Sequence, residues 1–120
     1  MTNYYYLASD QKMGLGNGSI DFSKTESQLI VGFDYPVQIE IYNGLIKDWE
    51  LQELLQYILN HTANYKNCTV QIANLINPGQ IELGIQKKHS LLLHELVDFK
   101  QLLLKEGHLL TIKKDPFLFR

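Results

Sequence analysis

The chain has 120 residues, of which 45% are hydrophobic and 20% are charged, and it carries a formal net charge of -2. This length fits one domain around one core and is too short for a second, so we expect a single domain over residues 1–120. The slightly acidic balance gives no general attraction to phosphate backbones or anionic lipid, so neither nucleic acid nor a membrane is an expected partner.

Cysteine usage and hydropathy indicate a cytoplasmic protein. Cys68 is the only cysteine, which excludes an intrachain disulfide and a CxxC pair. The first residues lack the charged segment and apolar run of a signal peptide, and no stretch approaches the roughly 20 apolar residues of a membrane span. We therefore expect cytoplasmic localisation.

Residues 1–35 are predicted to form an N-terminal β extension with a Gly-rich loop. Asn3–Ala8 is aromatic and apolar, which predicts a short strand. Met13–Ser19 alternates glycine with other residues, but it lacks the Lys-Ser/Thr pair of a phosphate loop, so it predicts a flexible or tight turn. Ile20–Ser27 predicts irregular chain and Gln28–Phe33 a second short strand.

The predicted core, residues 36–114, begins with a strand and a helix. Val37–Tyr42 alternates apolar and polar residues, which predicts a strand with Val37, Ile39 and Ile41 inward. Asp48–Thr62 predicts an amphipathic helix with Asp48 as its N-cap, because apolar residues recur at three- and four-residue steps. The inward stripe and its flanking residues are Leu51, Leu54, Leu55, Ile58, Trp49 and Leu59.

A hairpin is predicted to follow the helix. Cys68–Leu75 predicts a strand that carries Cys68, Val70 and Ile72 inward. The turn signal Asn77-Pro78-Gly79 joins it to a second predicted strand at Gln80–Gln86. Lys87–Ser90 is polar and is expected to end the hairpin.

The last part of the core is predicted to be a helix and a strand. Ser90–Glu106 predicts the helix, although Ser90–Leu93 alternatively forms a short strand with the helix beginning near His94. The inward helix residues would be Leu92, Leu96, Phe99, Leu103 and Leu102, and Gly107 would follow the helix as its C′ residue. His108–Lys113 predicts the last strand, with Leu110 and Ile112 inward, and residues 115–120 form a tail.

Together these elements predict an α+β fold with the ferredoxin-like order β-α-β-β-α-β. In that fold both helices cover one face of a four-stranded antiparallel sheet. The polar alternates would share the opposite face, which an antiparallel sheet can leave in water. That face would carry Gln38, Glu40, Tyr42, Gln71, Glu82 and Gln86, together with Thr111 and Lys113.

No set of residues predicts catalysis, a cofactor or a metal. Glu40 and Glu82 would lie outward on adjacent strands, but outward glutamates on strands are usually only solvated. The four histidines are scattered and lack the HExxH spacing. Cys68 alternates with inward residues, which indicates a small core side chain.

The opening sequence Asn3-Tyr4-Tyr5-Tyr6-Leu7-Ala8-Ser9, followed by a glycine-containing loop, resembles a family of small proteins from Gram-positive bacteria. That family has no assigned activity. The resemblance therefore implies a bacterial source and carries no site residue onto this chain.

The favoured hypothesis is a non-catalytic binding or protein-interaction domain, with self-association as a dimer included. Exposed aromatic residues and the outward sheet face are the expected contact surface, because such patches mark interfaces. The residues are Tyr4, Tyr5, Tyr6, Glu40, Tyr42, Glu82, Phe117 and Phe119. The alternative hypothesis is a small-molecule-binding or enzymatic domain with a pocket between the N-terminal segment and the sheet.

Overall fold

The computed structural model describes residues 3–15, 22–28, 30, 32–42, 47–76 and 85–115. Within these residues lie one α-helix and a mixed sheet of six strands, which confirms the α+β class. In chain order the elements are β1 (Asn3–Ser9), β2 (Phe22–Gln28), β3 (Val37–Tyr42), α1 (Asp48–Ala63), β4 (Cys68–Ile76), β5 (Lys87–Leu92) and β6 (His108–Lys114).

The N-terminal strand lies in the middle of the sheet. The strand order is β2-β3-β1-β4-β6-β5, and β1 is antiparallel to both of its neighbours. Tyr5 and Leu7 pack on one face of β1, while Tyr6 and Ala8 pack on the other. The prediction that residues 1–35 form an extension of the core is therefore wrong. A strand buried on both faces has no polar alternation, so its pattern does not reveal its position.

Helix α1 supplies the main core on one face of the sheet. Leu51, Leu54 and Ile58 are at most 1% exposed, and each contributes about 1.5–3 kcal/mol on burial. We call this side of the sheet the helix face. Its buried cluster contains Tyr5, Leu7, Met13, Ile39, Ile41, Leu51, Leu54, Ile58, Cys68, Val70, Ile72, Leu96, Leu102, Leu110 and Ile112. The predicted inward positions of the strands Cys68–Leu75 and His108–Lys113 are thereby confirmed.

The start of α1 differs from the prediction. Lys47 is the N-cap, and its N–H donates to Glu50 Oε1 at 2.9 Å, so Asp48 is the first helical residue and not the cap. Trp49 and Leu59, predicted to flank the buried stripe, are 45% and 38% exposed.

The second predicted helix is wrong. Residues 90–92 complete β5, and the following chain forms only two short 3₁₀ turns, Leu93–Glu95 and Phe99–Leu102. Gln101 Oε1 accepts from the N–H groups of Val97 and Asp98, so side-chain bonds occupy donors that a helix would use. The segment is instead the crossover that connects the parallel strands β5 and β6.

Because this segment is a crossover and not a helix, its buried leucines differ from the predicted ones. Leu96 and Leu102 are buried, whereas Leu103 is 52% exposed, because this segment does not follow a helical period. Gly107 adopts φ +80° in the turn before β6 and is not the C′ residue of an α-helix.

The other face of the sheet, which we call the loop face, is partly covered by chain. Ile30 and Phe33 are buried on it, and Ile85 packs against the same cluster. The buried members of this cluster are Tyr6, Ala8, Ile30, Phe33, Val37, Ala73, Leu75 and Leu109. The sheet face predicted to be polar and solvated therefore carries a second, smaller core, and Gln71, one of its predicted solvated residues, is 0% exposed.

A bulge in the pairing of β1 with β3 reverses one predicted side chain. Leu7 pairs with Ile39 and Ala8 pairs with Val37, so Gln38 is left without a partner in the register. Val37 accordingly joins the loop-face cluster, while Ile39 remains on the helix face. The prediction that Val37 shares a face with Ile39 is wrong because a bulge breaks the two-residue period.

Several further boundaries are corrected. The strand β2 spans most of Ile20–Ser27, which was predicted to be irregular. Of the strand predicted at Gln28–Phe33, Gln28 ends β2, the described residues 30, 32 and 33 are not in a strand, and residues 29 and 31 lie outside the described residues. Lys87–Ser90 belongs to β5 and does not end a hairpin. Residues 77–84, which include most of the predicted strand Gln80–Gln86, lie outside the described residues.

The predicted ferredoxin-like order is therefore not found. In that order the segment 80–86 would lie beside β3, but both neighbours of β3 are already β2 and β1. The described residues contain one α-helix, and β5 and β6 form a parallel pair.

Candidate functional site

Among the described residues, no strand pairs with the outer edge of β5, which we call the open edge. Lys87 N–H donates to Gly107 O at 3.3 Å and so faces β6. Successive residues of a strand turn their N–H and C=O groups to alternate sides, so Lys88 and Ser90 present theirs away from β6. No described residue forms a hydrogen bond with these main-chain groups. This edge is therefore a template on which another strand can pair.

The open stretch has a defined end. Leu92 is the next residue whose N–H points away from β6, and it donates to Glu95 Oε1 at 2.7 Å. Residues 87–90 are all exposed. Strand addition is therefore confined to the first part of β5, around Lys88 and Ser90.

A groove of about 450 Å³ lies beside this edge. Its polar lining includes Asp34, Lys88, Ser90, Glu95, Thr111 and Lys113. The carboxylates of Asp34 and Glu95 are held by bonds within the protein. The ammonium groups of Lys88 and Lys113 form no hydrogen bond or ion pair with any described residue, so both are available to an anionic group of a partner.

Gln71 fixes the wall of the groove to the sheet. This β4 residue is fully buried, and its Nε2 donates to Asp34 Oδ2 at 3.0 Å and to Thr111 Oγ1 at 3.1 Å. Its Oε1 accepts from Asp34 N–H at 2.8 Å. These three bonds hold the chain at Asp34 over the strands, so the groove is built on a rigid base.

A second polar cluster lies where β1 ends, beside the last turn of α1. Ser9 Oγ lies 3.0 Å from His61 Nε2, 3.7 Å from Cys68 Sγ and 3.4 Å from Asp10 Oδ1. Serine and histidine in hydrogen-bond contact are a known nucleophile and base combination. Here, however, Ser9 is 3% exposed and its oxygen also accepts from Gln11 N–H, so the hydroxyl is enclosed and serves the fold.

The ionisation of this cluster agrees with a structural role. Burial raises the pKa of the Cys68 thiol, which keeps it protonated, and the hydrogen bond to Ser9 only partly opposes that shift. Burial lowers the pKa of His61, and the Asp10 carboxylate opposes it. The prediction that Cys68 is a core side chain is confirmed, since it is 2% exposed.

We expect acid to destabilise the protein through His61. Its folded-state pKa lies below the ordinary value of 6.5, so the unfolded chain binds a proton first as the pH falls. The contribution of His61 to stability is complete above pH 6.5 and is lost progressively below it. Urea unfolding on both sides of that pH measures the change in the free energy of unfolding.

The His61→Gln variant tests the assignment. It should show a weaker decline of stability with acidification than the wild type. His108, whose pKa is also lowered, supplies the comparison, because His108→Gln should keep the His61 contribution. Equal pH slopes in His61→Gln and the wild type would contradict the prediction.

The residues predicted to form a contact surface differ in how exposed they are. Tyr5 and Tyr6 are each 1% exposed, so neither ring offers a contact surface in this fold. Tyr4 is partly exposed and stacks on Tyr6 at 5.8 Å. Burial raises the pKa of Tyr6 to about 12, and the Glu40 carboxylate adds to the shift, so Glu40 lies near Tyr6 on the loop face.

The remaining predicted contact residues are not described in full. The backbone of Tyr42 pairs with Tyr4 in the sheet. Glu82, Phe117 and Phe119 lie outside the described residues.

The open edge was missed at the sequence level. The signal that could have found it is the pair Lys87-Lys88, because lysine is common on edge strands, where it opposes unwanted pairing. The short strand considered at Ser90–Leu93 covered only the end of β5.

These features define a small α+β domain built on a mixed sheet with an open, lysine-bearing edge. No family model, curated protein or solved structure matches the chain. Among the described residues, no three His, Cys, Asp or Glu side chains are grouped so that they could hold a metal ion. No helix in the described part of the chain is both long and apolar enough to cross a bilayer.

Proposed function

We propose that this protein is a non-catalytic protein-interaction domain that binds an extended acidic segment of a partner by strand addition to β5. The observation that carries the proposal is that no described residue pairs with the outward main-chain groups of Lys88 and Ser90, which lie on an exposed strand. Main-chain pairing supplies affinity in this mode of recognition, and side chains near the edge supply specificity. We also propose that the protein is bacterial and that it is located in the cytoplasm.

Charge favours an acidic occupant. Lys87 and Lys88 are exposed on the edge strand, and Lys113 lines the adjacent groove. A second copy of β5 would bring the same lysines toward one another, and lysines on an edge strand oppose such pairing. Glutamates or aspartates on a partner strand would instead meet these ammonium groups, which favours recognition and fast association.

The test uses a model peptide of alternating glutamate and threonine, with a matched peptide that carries glutamine in place of glutamate. In NMR titrations of the full chain, the acidic peptide should shift the amide signals of Lys88 and Ser90 and slow their hydrogen exchange. The glutamine peptide should bind more weakly because it lacks the charges. Preferential binding of the neutral peptide would contradict the acidic specificity.

Ser90→Pro and Ser90→Ala form the decisive pair of variants. Proline removes the outward N–H of Ser90 and is tolerated on edge strands, so the pairing with β6 should persist. Ser90→Pro should weaken peptide binding by about two- to tenfold, since one main-chain hydrogen bond worth about 0.5–1.5 kcal/mol is lost. Ser90→Ala keeps the N–H and should bind like the wild type.

Two results would overturn the proposal. One is equal peptide affinity in Ser90→Pro and Ser90→Ala. The other is a dimer by light scattering that Ser90→Pro disrupts, because it would mean that a second copy of this chain occupies the edge.

The second candidate function is small-molecule binding, which the groove of about 450 Å³ supports. Pockets of this size hold ligands through a few placed polar groups. A small carboxylate or phosphate compound would then raise the thermal midpoint of unfolding. It would shift the signals of Thr111 and Lys113 without protecting the Lys88 and Ser90 amides from exchange.

A further inference from the structure

A pair of histidines lies on the helix-face side of the open edge, and the function proposed above gives neither ring a role, although His89 also lines the groove. His89 of β5 and His108 of β6 are diagonal neighbours in the parallel pair, since His108 is in register with Lys87. Nε2 of His89 and Nδ1 of His108 lie 3.1 Å apart, and the ring centroids lie 5.1 Å apart.

The separation of the two nitrogens suits two ligands of one metal ion. Histidine nitrogens bind Zn²⁺ at about 2.0–2.1 Å, and at a tetrahedral angle two such nitrogens are about 3.3 Å apart. The distance of 3.1 Å is close to this value. The two rings must rotate away from their hydrogen bond so that both lone pairs point to a common centre.

We propose that His89 and His108 together bind a divalent transition metal ion of the Zn²⁺ and Cu²⁺ class, with water completing the coordination. Imidazole is a preferred ligand for these ions, and Mg²⁺ and Ca²⁺ prefer oxygen. Both strands are fixed by the β5–β6 ladder, so the ligands are held in place before the ion binds.

Two lysines lie near the pair. Lys87 is in register with His108, and the charge of Lys105 also acts on the His108 ring. The ring that donates in this hydrogen bond must free its contacting nitrogen when the ion binds, so that N–H bond breaks and an N–H bond forms at the other nitrogen of the same ring, with water carrying the proton. The lysines repel a cation, and the site should therefore be weaker than a closed structural zinc site.

Calorimetric titration with Zn²⁺ and paramagnetic broadening of amide signals by Cu²⁺ test the site in the full chain. The wild type should bind one ion per chain, and Cu²⁺ should broaden the signals around His89 and His108 first. Both His89→Gln and His108→Gln should weaken Zn²⁺ binding by about tenfold or more. Removing a residue that only supports a metal ligand already costs about tenfold or more in affinity, and these variants remove the ligand itself.

His94→Gln is the matched control, because His94 is a third exposed histidine in the turn after β5. It should leave Zn²⁺ affinity unchanged. The site is overturned if the wild type shows no saturable binding, if either single variant binds like the wild type, or if one ion is bound per two chains. Circular dichroism establishes that each variant is folded, which is expected because His89 is exposed and His108 is only partly buried.

Discussion

Replacing Gly32 with alanine is expected to lower the free energy of unfolding by about 2–4 kcal/mol. Gly32 adopts φ +107°, a conformation that residues with a Cβ rarely adopt. A Cβ at this position would also lie 2.5 Å from Ile85 Cγ1 and 2.8 Å from Ile85 Cβ. The contact is part of the loop-face cluster, so the backbone or Ile85 must shift. Urea unfolding followed by circular dichroism measures the loss.

Gly14→Ala is the matched control for this prediction. No atom lies within 4 Å of a Cβ built at Gly14, so this change should alter stability by less than about 1 kcal/mol. Combining Gly32→Ala with Ile85→Ala should remove the steric part of the cost and leave the backbone strain, which a double-mutant cycle would show as coupling. A Gly32→Ala protein as stable as Gly14→Ala would contradict the packing of Ile85 on Gly32.

Replacing Tyr5 with phenylalanine is expected to destabilise the protein by about 2–3 kcal/mol, although it removes one oxygen atom. The Tyr5 hydroxyl donates to Leu102 O and accepts from Leu104 N–H, each at 2.9 Å. These bonds tie the crossover between β5 and β6 to the central strand. Phenylalanine would leave a main-chain donor and acceptor without this partner, and the cost of such groups exceeds the ordinary value of a hydrogen bond.

Tyr6→Phe provides the control in the next residue of the same strand. Tyr6 Oη is buried and has no hydrogen-bond partner among the described residues. Removing it should leave stability unchanged or raise it, because an unpaired buried hydroxyl is itself unfavourable. Chemical unfolding of both variants gives the comparison. Equal losses in Tyr5→Phe and Tyr6→Phe would contradict the bridging role of the Tyr5 hydroxyl.

The parts of the fold with a simple local period were predictable. Val37–Tyr42 is observed over its predicted range, and Asp48–Thr62 is extended by one residue. The strands predicted at Cys68–Leu75 and His108–Lys113 are each longer by one residue. In these segments apolar residues recur regularly on the helix face, so the spacing alone predicts the element, although Ala73, Leu75 and Leu109 are buried on the loop face as well.

The region from 87 to 106 was not predictable in the same way. Its leucines predict a helix by spacing, but the chain instead forms β5 and two short turns. Strand β5 exists because its main chain pairs with β6, and the turns are held by side chains such as those of Tyr5 and Gln101. The pairing with β6 and the hydrogen bond to Tyr5 join segments that are far apart in sequence, and these contacts override a local preference for helix.

The candidate interaction site depends on the same long-range pairing. The sequence shows Lys87-Lys88 as a short basic pair. Its importance comes from its position on β5, which is the edge strand of the sheet. The contacts between His89 and His108 and between Gln71 and Asp34 likewise join segments that are distant in the chain.

The sequence by itself determined the α+β class, the amphipathic helix α1 and the burial of Cys68, because each follows from local alternation or composition. Only the tertiary structure decided that β1 is central, that residues 87–92 form an open edge and that two histidines meet there. The physical reason is that strand order and edge position are set by hydrogen bonds between distant segments, and these leave little trace in the local pattern of residues.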